Sequence, residues 1–127
     1  MSTLKTSNIQ DTSGNNNSTP EEINQGRAKA WVNFDGIGTV AIRDSLNVSS
    51  ITDNGTGNYT IAFTTAMANT NYCVLTTCAY ATGTTESMFT TVNGDALFTT
   101  GGFNAKSRDD GGTLRDVSHF FAAVFGD

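Results

Sequence analysis

Charge is scarce in this chain of 127 residues: Asp, Glu, Lys and Arg together make up 15%, against roughly 25% in an average soluble protein. Only seven of these are Lys or Arg, they are scattered, and the formal net charge is -5. Affinity for nucleic acid comes largely from clustered basic residues, so no nucleic-acid partner is expected. Long apolar runs are missing as well. None approaches the roughly 18 residues of a membrane helix, and the opening MSTLKTSNIQ lacks the apolar stretch of a secretory signal. Neither membrane insertion nor secretion is expected. Sustained heptads are absent, which removes a coiled coil.

Cysteine and histidine are almost missing. Cys73 and Cys78 lie five apart in NYCVLTTCAYA, a run that reads as one strand. Odd spacing places them on opposite faces. Five extended residues span roughly 16 Å, beyond the ~7 Å reach of a disulfide. Both are expected to be free thiols that fill space as small apolar groups, which suits synthesis in a reducing compartment. The single histidine, His119, has no second ligand at metal spacing. No metal and no cofactor are expected.

The missing share of the composition has gone to small polar residues. Thr occurs 21 times, Asn and Gly 13 times each and Ser 10 times, so these four types fill 57 of 127 positions. Thr is β-branched and suits a pleated surface. Asn and Gly serve turns with positive φ. This is a composition of short strands and many turns. Eight Phe, three Tyr and one Trp argue against disorder.

Residues 1–27 differ from the rest. Their sizeable apolar side chains are Leu4, Ile9 and Ile23, set in polar, turn-prone sequence. Such a run orders itself poorly, so it is expected to be a largely irregular tether whose three apolar residues act as an attachment peptide. One local signal lies inside it. Thr19-Pro20-Glu21-Glu22 places Thr at the N-cap, Pro at the first helical position and Glu at the third, with Gly26 as the stop. That capping box predicts one or two helical turns over 20–25.

From residue 28 onward strands recur every 8–12 residues. AWVNFD, TVAIRDS, NVSSIT, NYTIAFTTA, NYCVLTTCAYA, ESMFTTV, ALFTT with FNAK, and LRDVSHFFAAVFG alternate with Gly-rich turns. Asn54-Gly55 is a hairpin signal. In NYTIAFTTA, Tyr59, Ile61 and Phe63 share one face, a period of two. The pattern predicts an all-β fold: an antiparallel β-sandwich of the jelly-roll kind over 28–127. The expected core is Val32, Phe34, Val40, Ile42, Tyr59, Ile61, Phe63, Val74, Phe121 and Val124. In the last strand Val117, His119, Phe121, Ala123 and Phe125 share one face and Phe120, Ala122 and Val124 the other. Both faces are apolar, so this strand is either central or covered by a neighbouring subunit. Phe120, Phe121, Val124 and Phe125 are the expected subunit contact.

Catalysis has little support. Ser118 and His119 are adjacent and expected on opposite faces, which denies them a nucleophile–base pairing. Paired carboxylates can hydrolyse glycosides, but Asp53, Asp95, Asp109 and Asp110 all sit in Gly-rich turns, where Asp serves the backbone. No enzyme is expected. The turns themselves are candidate recognition loops, through Asn54, Thr56, Asn58, Asp109 and Asp110. Trp31 and Tyr80 could stack on sugar faces, although a lone strand Trp is more often core.

The run Ala28-Lys29-Ala30-Trp31-Val32-Asn33-Phe34-Asp35-Gly36, followed by Gly38-Thr39-Val40-Ala41-Ile42-Arg43-Asp44-Ser45, Asn47-Val48-Ser49-Ser50-Ile51-Thr52-Asp53-Asn54-Gly55-Thr56-Gly57, Tyr59-Thr60 and Phe63-Thr64-Thr65-Ala66-Met67, resembles a β-module of tail-fibre and other virion structural proteins of tailed phages, notably marine and cyanobacterial ones. Ile9-Gln10-Asp11-Thr12-Ser13-Gly14 is similar to the short lead-in that often precedes it. The likeness spans about residues 8–72. It implies an all-β, trimeric, non-catalytic virion part assembled in the host cytoplasm. Its partners would be itself, other tail or capsid proteins and a host-surface glycan. The leading expectation is a small tail-fibre or fibre-tip component for host attachment. The alternative is a capsid decoration, head-fibre or adaptor subunit held by its N-terminal peptide. The module starts near Met1 without a shaft, which favours a small subunit that docks onto another protein.

Overall fold

The computed structural model describes residues 1–80, 86–94 and 97–126. Among these, one helix precedes eight strands. They are α1 (Pro20–Gly26), β1 (Ala30–Asp35), β2 (Ala41–Leu46), β3 (Val48–Asp53), β4 (Asn58–Phe63), β5 (Cys73–Ala79), β6 (Met88–Val92), β7 (Gly102–Asp109) and β8 (His119–Phe125). They form two four-stranded antiparallel sheets, ordered β2-β1-β8-β5 and β3-β4-β7-β6. The sheets pack face to face as an all-β sandwich. The first and last strands meet at the centre of one sheet, Ala30 opposite Val124 and Phe34 opposite Phe120.

The chain changes sheet at a single residue. Asn47 separates β2 from β3 and takes φ 54°, a left-handed conformation that Asn tolerates better than most residues. Its side chain is tied on both sides: Nδ2 donates to the Thr65 carbonyl (3.1 Å) and Oδ1 accepts from the Thr65 N–H (2.7 Å). The Asn54-Gly55 hairpin forms as its residues predict, with the Asn58 N–H donating to the Gly55 carbonyl and Gly55 at φ 108°. Gly57 is required for another reason. A Cβ there would lie 2.6–2.7 Å from backbone atoms of Ser107 and Arg115.

Inward-facing residues make a core rich in aromatic rings. Phe34 stacks on Phe120 and meets Tyr59 edge-on, each at 5.0 Å between centroids. Of the expected core, Val32, Phe34, Tyr59, Ile61, Phe63 and Val124 are buried, and Val40 and Val74 pack against them. Two expectations fail. Ile42 lies opposite core-facing Phe34 but on the edge strand β2, where 38% of it stays exposed. Phe121 points outward with 36% exposed, while Phe120 occupies the interior. Either register of β8 places apolar side chains on both faces, and a one-residue shift exchanges them.

The stretch 114–118 is not part of the last strand. Its backbone bonds go elsewhere: the Arg115 N–H donates to the Ser107 carbonyl, and the Val117 carbonyl accepts from the Gly36 N–H. Val117 is therefore buried in the core rather than sharing the face of Phe121. Similarly, residues 99–102 make a tight turn closed by a Thr99–Gly102 bridge, so a strand begins only at Gly102.

The N-terminal region is largely irregular outside one short helix, with a single ordered loop. The Thr19 capping box forms, with Oγ1 accepting from the Glu22 N–H and the Glu22 carboxylate accepting from the Thr19 N–H, and it opens α1. Ile9 and Ser18 exchange backbone hydrogen bonds of 2.7 and 2.8 Å around a loop organised by Asp11. The loop backbone donates to the Asp11 carboxylate and holds its pKa below the usual value.

Candidate partner-binding face

The outer face of the β2-β1-β8-β5 sheet follows from its register. Leu46, Trp31, Ala123 and Leu75 form one row across the four strands. Asp44, Asn33, Phe121 and Thr77 form the next. Neighbours in such rows are close enough to pack their side chains together. Between the rows runs a shallow groove of about 360 Å3 over β1, β8 and β5, with Trp31, Leu75, Phe121 and Ala123 in its walls. Leu46 is 48% exposed and Leu75 59%. A continuous apolar stripe on a sheet face marks an interaction surface more often than a lone exposed Leu does.

Polar groups frame this stripe. The Asn33 Oδ1 is buried and has no hydrogen-bond partner, a state that costs about 1–3 kcal/mol. At one end Arg43 pairs with Asp35 (2.7 Å) and donates to the Ser118 carbonyl (3.0 Å). His119 stacks on Phe121 at 5.9 Å.

The Ser118–His119 expectation needs correction. Ser118 lies just outside β8, so strand alternation does not govern it, and its Oγ sits 3.2 Å from His119 Nδ1. The Ser118 hydroxyl donates to the Ala79 carbonyl (3.1 Å). With its hydrogen directed at that carbonyl, Ser118 does not offer it to the imidazole as a nucleophile–base pair requires.

The expected subunit-contact residues divide. Phe121 and Phe125 belong to the outer side of β8, with Phe125 opposite Cys73. Phe120 and Val124 are 0% and 1% exposed and serve the core of their own chain. Cys73 and Cys78 are free, the first exposed and the second half-buried, on opposite sides of β5. Burial raises the Cys78 thiol pKa. Of the sugar-stacking pair, Trp31 lies in the groove, whereas Tyr80 packs against the core.

The candidate recognition loops converge at one end of the sandwich. The Gly57 N–H donates to Asp116 Oδ1 (2.7 Å), and Tyr59 Oη donates to the same oxygen (3.0 Å). Burial, reinforced by the Asp116 carboxylate, drives the Tyr59 pKa well above its ordinary value. Several loop side chains are already engaged. Asn54 donates to Thr60, Asn58 Oδ1 accepts from Asn104, and Asp109 pairs with Arg115 at 2.9 Å. That hydrogen bond to Arg115 is the main cause of a lowered Asp109 pKa, which suits structure rather than proton donation. Thr56 and Asp110 remain exposed. Asp53 accepts from the Gly55 N–H, and Asp95 lies outside the described residues.

At the N-terminus, Leu4, Ile9 and Ile23 come together with Pro20 around a shallow hollow, beside Arg27. The three are 84%, 51% and 43% exposed. Their separation in sequence hides this grouping, which depends on the Ile9–Ser18 bridge and the start of α1.

Among the described residues, no three His, Cys, Asp or Glu side chains converge as a metal site, and no helix is long and apolar enough to cross a membrane. In comparisons with known proteins, no family model, curated protein or solved structure matches this chain.

Proposed function

We propose that this chain is a non-enzymatic virion structural subunit of a tailed phage, a small trimeric tail-fibre or fibre-tip component with a role in host attachment. The observation that carries the assembly part is the uncovered apolar stripe of Leu46, Trp31, Leu75 and Phe121 on one sheet. Closed symmetry would bury the same face on every subunit. The phage assignment rests on the resemblance of about residues 8–72 to virion β-modules.

The layout of the two ends supports a tip. In the β1–β8 ladder, the Lys29 N–H donates to the Val124 carbonyl at one end and the Gly36 N–H to the Val117 carbonyl at the other. The N-terminal unit leaves from the first end. The loops carrying Thr56 and Asp110 lie at the second, tied through Asp116. One end is thus free to join an assembly while rigidly held polar loops face outward, where recognition usually resides. Antibody labelling of virions that contain this chain tests the reading. Signal at the far end of fibres is expected; signal over the head would replace it with a decoration subunit.

A further inference from the structure

Among the described residues, two apolar surfaces of similar size lie uncovered by the chain's own fold. One is the groove between Trp31, Leu75 and Phe121. The other is the N-terminal patch of Leu4, Ile9 and Ile23. In this fold the patch and the groove are separate surfaces with no lining residue in common. Lys29 holds the segment at the end of the sheet, its N–H bonded to the Val124 carbonyl and its Nζ to Asn24 Oδ1 in α1, each at 2.7 Å. Only Ala30 then separates this anchor from Trp31, where the groove begins.

The polar groups beside the two surfaces are complementary. Arg27 borders the patch, and Lys5 follows Leu4. The groove side offers an exposed carboxylate, Asp44, in register with Asn33 on the same face. A guanidinium carries five N–H donors in a planar fork suited to a carboxylate. We propose that the N-terminal patch of one copy seats in the outer-face groove of a neighbouring copy, with Leu4 and Ile23 against Leu75 and Phe121 and Arg27 directed at Asp44. This rests on the reading of the chain as an assembly subunit. The contact is heterologous, patch to groove, and a trimer requires that three repeats of its rotation close a ring.

Complementation tests this directly with the full chain. Leu75→Glu spoils the groove but leaves the patch. The double variant Leu4→Asp, Ile23→Asp spoils the patch but leaves the groove. All three sites are exposed, and circular dichroism should confirm both variants as folded as the parent. By sedimentation the parent is expected to be an oligomer and each variant alone a monomer. An equimolar mixture should regain a species of twice the single-chain mass, because one good patch then meets one good groove. Exchanging the charges in trans, Arg27→Asp mixed with Asp44→Arg, should likewise associate more strongly than either variant by itself. A monomeric parent would overturn the proposal, as would a mixture that stays monomeric. If Leu75→Glu dissociates the oligomer but the Leu4, Ile23 variant does not, the groove has a different occupant; the docking model then fails while fibre-tip labelling of virions still stands.

Discussion

The outer faces of the two sheets are built differently. On β2-β1-β8-β5 the stripe of Leu46, Trp31, Leu75 and Phe121 lies open, with Asn33 Oδ1 unpaired beneath it. On β3-β4-β7-β6 the corresponding positions are mostly polar, and several are hydrogen-bonded within the chain. Asn104 is 4% exposed, and its Nδ2 donates to Asn58 Oδ1, the Tyr59 carbonyl and Thr60 Oγ1, while its Oδ1 accepts from Asn93. Exposed Phe89 and Leu97 are apolar exceptions there. One outer face is largely polar and hydrogen-bonded within the chain, and the other carries exposed apolar side chains. The contrast separates residues that serve folding from residues whose apolar surface the fold leaves open.

The largest expected effect tests the inside of the open sheet against its outside. Phe120→Ala should destabilise the chain by about 3–5 kcal/mol through lost burial and a cavity. Phe121→Ala, one residue on, should cost the isolated chain clearly less, its main loss appearing in association rather than in unfolding of the monomer. Urea denaturation of both variants measures the difference, and equal losses would erase the distinction between the two faces. The closed sheet should answer in the opposite sense. Asn104→Ala, although on an outer face, should cost about 1–3 kcal/mol by leaving buried partners unsatisfied. A neutral result in the same denaturation assay would show that this face contributes little to the fold.

Alkaline pH probes the seam where the closed sheet is tied to the β4–β5 connection. Tyr72 Oη donates to the Thr99 and Gly102 carbonyls, and burial pushes its pKa up to about 12. A phenol whose folded pKa is raised contributes stability fully below its ordinary value of 10.0. That stability is lost as pH climbs toward the folded value. The urea midpoint should therefore fall between about pH 10 and 12. In Tyr72→Phe that part of the fall should disappear; an unchanged profile would sink the assignment. The smallest effect reads the two sides of β5. A disulfide reagent should label Cys73 roughly tenfold faster than Cys78, whose thiol is half-buried and raised in pKa. Unfolded, unreduced protein should show two thiols, and equal native rates would mean that the faces of β5 are not distinguished.

Features set by near neighbours were legible in the residues. The Thr19–Glu22 capping box, the Asn54-Gly55 turn, the alternation of Tyr59, Ile61 and Phe63, and the opposed cysteines each depend on geometry within a few residues. Features set by distant partners were not. His119-Phe120-Phe121-Ala122-Ala123-Val124-Phe125 satisfies either register, and only the fit of Phe120 beside Phe34 and Tyr59 selects one. Ile42 looks like a core residue until β2 is found at an edge. Nothing local marks 114–118 as a segment bonded to Ser107 and Gly36.

By itself, the sequence determined a Thr- and Asn-rich β-protein with short strands, tight turns, free cysteines and a capped N-terminal helix. These properties follow from side-chain shape, backbone preference and spacing, which act over a few residues. The tertiary structure alone decided that Trp31, Leu75 and Phe121 share a groove and that Leu4, Ile9 and Ile23 share a patch. Each grouping requires strands or turns far apart in the chain to pair in one register, and the free energy that selects that register belongs to the packed core as a whole.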